Sequence, residues 1–286
     1  MPTRPRHVRH PRLTAPRLTA PRLIVTAGAL AAAGLGLLAA APPASAQSSV
    51  RYVALGDSYS SGVGAGNYTS SSGSCDQSPN AYPPLWANAN GPASFANETC
   101  AGATTSSVIS SQLGALSSAT SLVSITVGGN DVGFSSVMET CVLESTSSCV
   151  SAVHSSESEV ATQLPGELNT VLGDIKADAP DARVVVLDYP QLYDLSKSSS
   201  CVGLSTTDRT ALNQGAAELD SAIEAAAARY GDDFASVQDQ FSGHQICDSS
   251  SWLHSVNFLD VGESYHPTAS GQADGYLPVF TAAARG

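Results

Sequence analysis

Four short segments carry side chains that can do chemistry together. "GDSYSSG" (56–62) sets Ser58 on a glycine turn, "CAGATT" (100–105) contains Gly102, "GGND" (128–131) contains Asn130, and "YHPTASGQ" (265–272) contains His266. A serine hydroxyl is a weak nucleophile until a base takes its proton, and acyl transfer also needs donors aimed at the oxyanion. Ser58 can supply the hydroxyl, and the base must be a histidine, for which His154, His244, His254 and His266 are the candidates beyond residue 46. The backbone N–H groups of Ser58 and Gly102 and the side-chain amide of Asn130 can supply the donors. Gly102 has no side chain to keep its N–H away from a substrate. Taken singly these residues are weak signals, because a serine in a glycine-rich loop is usually a turn and an asparagine often caps one. Four in order carry more weight. His266 sits just before a capped C-terminal helix, and His254 in "SWLHSVN" could line the site. Asp57 and Asp131 flank the motifs and read as loop-holding groups.

Those residues need a scaffold that brings them to one rim. "VRYVAL" (50–55), "LVSITV" (122–127), "ARVVVLDY" (182–189) and "FASV" (234–237) are continuous apolar runs, as in strands buried on both faces of a parallel sheet. "ASFANE" (93–98) is a weaker fifth. Helical patterns lie between them at 104–116, at 156–180 with a kink at Pro165, at 205–231 ending on Gly231, and at 268–284. This alternation predicts a three-layer α/β fold with a central parallel sheet. Ser58, Gly102 and Asn130 each follow a strand, and in such sheets sites form at the strands' carboxyl ends.

Residues 1–23 hold six arginines and no acid, an apolar run follows over 24–41, and Ala44-Ser45-Ala46 is a small-residue cleavage pattern. The expectation is a secretory signal peptide over 1–46, no retained membrane anchor, and one hydrolase-sized domain over 47–286. All 25 acids but only seven of the 13 basic residues lie beyond residue 46, which leaves a formal charge of −18 on the remainder. No basic patch is available for nucleic acid. Cys75, Cys100, Cys141, Cys149, Cys201 and Cys247 suit an extracellular chain with three disulfides. Six cysteines allow 15 pairings, of which neighbour pairing is the simplest. None is spaced like a zinc site.

From about Val50 to the C-terminus, "GDSYSSG", "AGATT", "GGND" and "YHPTASGQ" together resemble the four blocks of the SGNH (GDSL-type) hydrolases, with secreted actinomycete lipases and esterases most similar. The resemblance implies a flavodoxin-like α/β/α fold and no metal or cofactor. It implies Ser58 as nucleophile, His266 as general base and acid, and Ser58, Gly102 and Asn130 as oxyanion donors. It also supports neighbour pairing of the cysteines. Two positions depart from the pattern. Where many members carry Asp three residues before the histidine, this chain has Glu263. Either Glu263 orients His266 as a third member, or a backbone carbonyl near Ser264 does, leaving a Ser-His dyad; the carbonyl is favoured. Where similar sequences often have Arg, this chain has Gln77, which would touch substrate or tie its loop.

The expected function is a secreted, monomeric lipase or esterase that cleaves lipid-like acyl esters through an acyl-enzyme. A phospholipase A or a polysaccharide O-deacetylase is the alternative within the same chemistry, and a binding protein with a decayed site is the alternative outside it. Labelling of Ser58 by an organophosphonate separates the last from the rest. Phe134, Val137, Met138, Val142 and Leu143 are nominated to face the acyl chain, against the simpler reading that they form the core of their own helix. With no lid domain evident, little interfacial activation is expected.

Overall fold

The computed structural model describes residues 49–197 and 201–285. The expected leader over 1–46 lies outside them. In chain order the main elements are β1 (Arg51–Gly56), α1 (Ser58–Ser61), α2 (Tyr82–Asn90), β2 (Ser94–Asn97), α3 (Thr105–Ser111), β3 (Leu122–Thr126), α4 (Phe134–Leu143), α5 (Thr146–Thr162), α6 (Leu164–Asp178), β4 (Arg183–Leu187), α7 (Thr206–Tyr230), β5 (Asp233–Ala235), α8 (Gln238–Phe241) and α9 (Leu277–Arg285). The five strands pair in parallel in the order β2-β1-β3-β4-β5. Every residue of β3 is buried, and so are all but the first of β1 and β4, which explains their unbroken apolar sequences.

Strand order reverses at β1. The chain steps from β1 out to β2, then crosses to β3 on the other side and continues to β4 and β5. Right-handed crossovers that run in opposite directions put their helices on opposite faces. Tyr52 of β1 accordingly stacks against Phe280 of α9 and meets Trp86 of α2 edge-on, while α3, α5 and α7 pack with α6 as a separate layer. The result is the three-layer α/β arrangement read from the sequence. The crevice at the carboxyl ends of β1 and β3 is its topological switch point.

The helix boundaries differ from the sequence reading in places with clear causes. The helix expected over 156–180 is two helices parted at Gln163, and the first begins at Thr146, where Ser145 caps it by accepting the Ser148 N–H. α2 had no counterpart in the sequence reading, and Pro83 and Pro84 stand at its start. They occupy its first turn, where a missing N–H costs nothing. The C-terminal helix is regular only from Leu277. A wide turn over Gly271–Tyr276 precedes it, and Gly275 there lies flat against the Phe241 ring.

Candidate active site

β1 ends in Gly56, whose φ of +119° carries the backbone so close to Thr126 that a Cβ would collide with it. Asp57 then caps the single turn of α1. Its carboxylate accepts the Tyr59 N–H at 3.0 Å, the Thr126 hydroxyl at 2.7 Å and the Tyr189 hydroxyl at 2.5 Å. Burial pushes the Asp57 carboxyl up to about 6, against the pull of these three bonds. Ser58 follows, buried at the head of the turn, and its N–H donates to no protein acceptor among the described residues.

His266 Nε2 lies 2.7 Å from Ser58 Oγ, and His266 Nδ1 lies 3.0 Å from the carbonyl oxygen of Ser264. Several contacts fix the ring. Tyr59 packs against it, the Tyr59 hydroxyl donates to the Tyr265 carbonyl at 2.7 Å, and the His254 N–H donates to the His266 carbonyl at 2.9 Å. Tyr265 has φ +65°, a conformation a bulky side chain rarely takes, and it is held there by burial and these bonds. Desolvation lowers the His266 pKa to about 4, offset in part by the Ser264 carbonyl. At neutral pH the ring is therefore neutral and Nε2 can accept a proton.

The Glu263 carboxylate does not reach His266 by any hydrogen bond in the structure. It accepts the Tyr68 hydroxyl at 2.7 Å, and the same hydroxyl accepts the Gly64 N–H at 2.9 Å. His254 also braces this loop, with Nε2 2.8 Å from the Gly64 carbonyl. His244 stacks on Trp252, and His154 is exposed on α5.

The remaining motifs converge on the same rim. The loop after β2 is pinned by bonds from Cys100 N–H to Gly56 carbonyl, Ala101 N–H to Cys75 carbonyl and Ala103 N–H to Cys100 carbonyl. Gly102, with φ +76°, sits between them with its N–H unpaired among the described residues. Asn130 Nδ2 donates to the Ala103 carbonyl at 3.0 Å, which orients the amide and leaves its second hydrogen free. The Asp131 carboxylate takes the Thr105 N–H and, at 2.6 Å, the Thr105 hydroxyl, so "GGND" and "AGATT" are joined through side chains. The sulfurs pair as Cys75–Cys100, Cys141–Cys149 and Cys201–Cys247. Gln77 donates through Nε2 to the carbonyls of Asn97 and Thr99, so it ties its loop to the end of β2.

Beside Ser58 and Asn130 opens an apolar cleft. Phe134 and Val137 of α4, Val153 of α5, and Leu212 and Leu219 of α7 wall it, with Tyr189 and Gly129 near the serine. Gly215 and Ala216 keep the α7 wall low. Of the five residues nominated to face an acyl chain, Phe134 and Val137 line the cleft. Met138 is core, Val142 packs against the core and Leu143 is exposed. Sequence reasoning missed the α7 wall, because Leu212, Gly215 and Leu219 read as an ordinary helix face. It also missed Tyr189, whose only signal was its place at the end of β4.

Comparison with known proteins comes to the same region of chemistry. The family model for the GDSL-like Lipase/Acylhydrolase family matches residues 54–273. Lipase 1 of Streptomyces coelicolor is 52% identical over 261 residues, which is 91% of this chain and 96% of that protein. The crystal structure of phospholipase A1 from Streptomyces albidoflavus matches with a TM-score of 0.80 at 52% identity, covering 82% of this chain and 98% of that one. That of an extracellular lipase from Streptomyces rimosus matches with a TM-score of 0.80 at 47% identity, covering 82% and 99%.

Proposed function

The chain belongs to the GDSL-like lipase/acylhydrolase family and is a carboxylic ester hydrolase, and on that premise we propose that it is a secreted lipase acting on lipid-like acyl esters through a Ser58–His266 dyad. The observation that carries the substrate class is the apolar cleft that opens at Ser58 and runs between α4, α5 and α7. Burying each methylene of an acyl chain there is worth about 0.8 kcal/mol.

In the proposed cycle Ser58 Oγ attacks the ester carbonyl as its proton passes to His266 Nε2. The charge that develops on the carbonyl oxygen is met by the Ser58 N–H, the Gly102 N–H and the free Asn130 amide hydrogen. A donor of this kind contributes about 3–4 kcal/mol to the transition state. His266 then protonates the leaving alcohol, and water repeats the sequence to release the acid. The Ser264 carbonyl holds Nδ1 as a donor and so fixes the tautomer that leaves Nε2 basic. The Ser264 carbonyl supplies the orienting part of a third member's role but no full negative charge for the imidazolium, and Glu263 is engaged with Tyr68.

The expected leader and the three disulfides support an extracellular site of action. Among the described residues no helix is long and apolar enough to cross a membrane. A phospholipid as substrate is the second reading, favoured by the likeness to a phospholipase A1. A polysaccharide deacetylase would leave the cleft unused. The test is hydrolysis of nitrophenyl esters from acetyl to palmitoyl, with Ser58→Ala alongside. A maximum at medium or long chains that Ser58→Ala abolishes is expected. Activity confined to acetyl would overturn the substrate class, and full activity in Ser58→Ala would overturn the mechanism.

A further inference from the structure

We infer that the Asn257–Ser264 loop is the surface by which this protein adsorbs to assembled phospholipid, an inference that rests on the lipid-ester reading above. Phe258 is 76% exposed, Leu259 100% and Val261 69%. Scattered apolar residues on a surface need no explanation, but contiguous ones do. These three fall within four residues. Tyr68, another exposed large side chain, joins the same loop through its bond to Glu263.

The loop is built to hold these side chains outward. Asn257 N–H donates to Ser264 Oγ at 2.9 Å and closes the neck. Asn257 Oδ1 accepts the N–H groups of Leu259 and Asp260, Glu263 N–H donates to the Asp260 carbonyl, and Ser264 N–H donates to the Val261 carbonyl. With much of its backbone paired internally, the tip can leave water at little polar cost while its side chains gain an apolar medium. The neck residue Ser264 is also the one whose carbonyl faces His266 Nδ1. The tip that enters lipid is thus tied at its neck to the residue that orients His266.

Charge selects the kind of surface. From residue 230 to residue 284 the chain has no lysine or arginine, while Asp260 and Glu263 lie in the loop itself. An anionic leaflet would repel this face. A zwitterionic phospholipid, with its ammonium outermost, would meet the exposed Asp260 with opposite charge. This is adsorption by a fixed loop and requires no lid to open.

The test uses the full mature chain carrying Ser58→Ala, so that vesicles stay intact. Sedimentation with phosphatidylcholine vesicles is compared with and without Phe258→Ser, Leu259→Ser and Val261→Ser together. The triple substitution is expected to weaken partition by about tenfold or more, the scale set by removing three apolar side chains from an interface. Adding phosphatidylglycerol should not raise binding. In a separate Leu259→Trp variant, indole emission should shift to the blue on phosphatidylcholine vesicles. Partition unchanged by the triple substitution, absent in the parent, or growing with the anionic fraction would overturn the inference. So would self-association through this loop, seen as concentration-dependent sedimentation that the triple substitution removes while vesicle binding is absent. If long-chain nitrophenyl esters are hydrolysed but the triple substitution leaves partition intact, the loop inference fails alone. If only acetyl esters react, the substrate reading beneath it fails.

Discussion

The Tyr68 hydroxyl donates to the Glu263 carboxylate at 2.7 Å, and this bond draws the acidic side chain three residues before His266 toward a different loop. The same hydroxyl accepts the Gly64 N–H, so Tyr68 and Glu263 form a strut between the segment after Ser58 and the segment before His266. Orientation of the imidazole is left to the Ser264 carbonyl. Glu263→Gln preserves the shape of the strut and should lower kcat/KM by less than about tenfold, since one exposed hydrogen bond is worth about 1 kcal/mol. A loss as deep as that of His266→Ala would make Glu263 the third catalytic member. Steady-state kinetics on one soluble ester decides it.

The pH dependence of kcat/KM should report a depressed histidine. His266 must be neutral to accept the Ser58 proton, and its pKa is lowered to about 4, so the acid limb should fall near pH 4 and not near the ordinary 6.5. Asp57, pushed up to about 6, can add a shallow step there, because protonation removes the anion that caps α1. Asp57→Asn should erase that step and leave the limb at 4. A limb at 6 that survives Asp57→Asn would mean that His266 titrates normally. Stability is the poorer readout, because the two groups oppose each other. The depressed His266 loses folded-state stability as pH falls from 6.5 toward 4, while the raised Asp57 adds it as pH falls from about 6 toward 3.8.

Removing single groups should give a graded series. Ser58→Ala and His266→Ala should each reduce hydrolysis to near background, because nucleophile and base act as a unit. Asn130→Ala removes one of three oxyanion donors and should lower kcat by about 10² to 10³ with KM little changed. Equal loss in all three variants would remove the distinction in roles drawn between them.

The strands and the rim residues were legible because their signals are local. β1, β3 and β4 are buried on both faces and so are apolar without interruption, and the Ser58 and Asn130 motifs sit where β1 and β3 stop. What the sequence hid depends on contacts between distant segments. α2 begins with two prolines that only tertiary context turns into a first turn. α5 starts in a serine-rich stretch whose helical character rests on the Ser145 cap and on packing against α4 and α7. The cleft lies between α7 and the α4–α5 pair, which is distant from it in sequence, so the role of Gly215 is visible only once Val153 stands opposite it. The orientation of Glu263 depends on Tyr68, 195 residues away, which no local pattern reveals.

Gln77 should matter for stability and not for turnover. Its amide donates to the carbonyls of Asn97 and Thr99, and Gln77→Ala would leave both half-buried acceptors without it. The expected cost is about 1–3 kcal/mol. Thermal unfolding should then show a midpoint lower by several degrees, at about 2–4 °C per kcal/mol. The chain-length profile should be unchanged. A shift in that profile at constant stability would make Gln77 a substrate contact.

Gly215 is where the length of the acyl chain can be set. It lies on the α7 wall of the cleft, and a Cβ placed there would meet Val153 Cγ1 at 3.3 Å, so any larger side chain must project into the space beside it. Gly215→Leu should therefore block the inner cleft while leaving the region around Ser58 open. The substitution gains up to about 1 kcal/mol of helix propensity against an overpacking cost of about 1–3 kcal/mol at Val153, so thermal unfolding is measured beside the kinetics to confirm that the variant is folded. The ratio of kcat/KM for palmitoyl over butyryl nitrophenyl esters should fall by about tenfold or more, the equivalent of excluding two methylenes at about 0.8 kcal/mol each. Gln214→Leu, at the exposed neighbouring position of the same helix, is the control and should leave the ratio as it was. If Gly215→Leu leaves it unchanged as well, the long acyl chain follows another path and the cleft between α4, α5 and α7 is not its binding site.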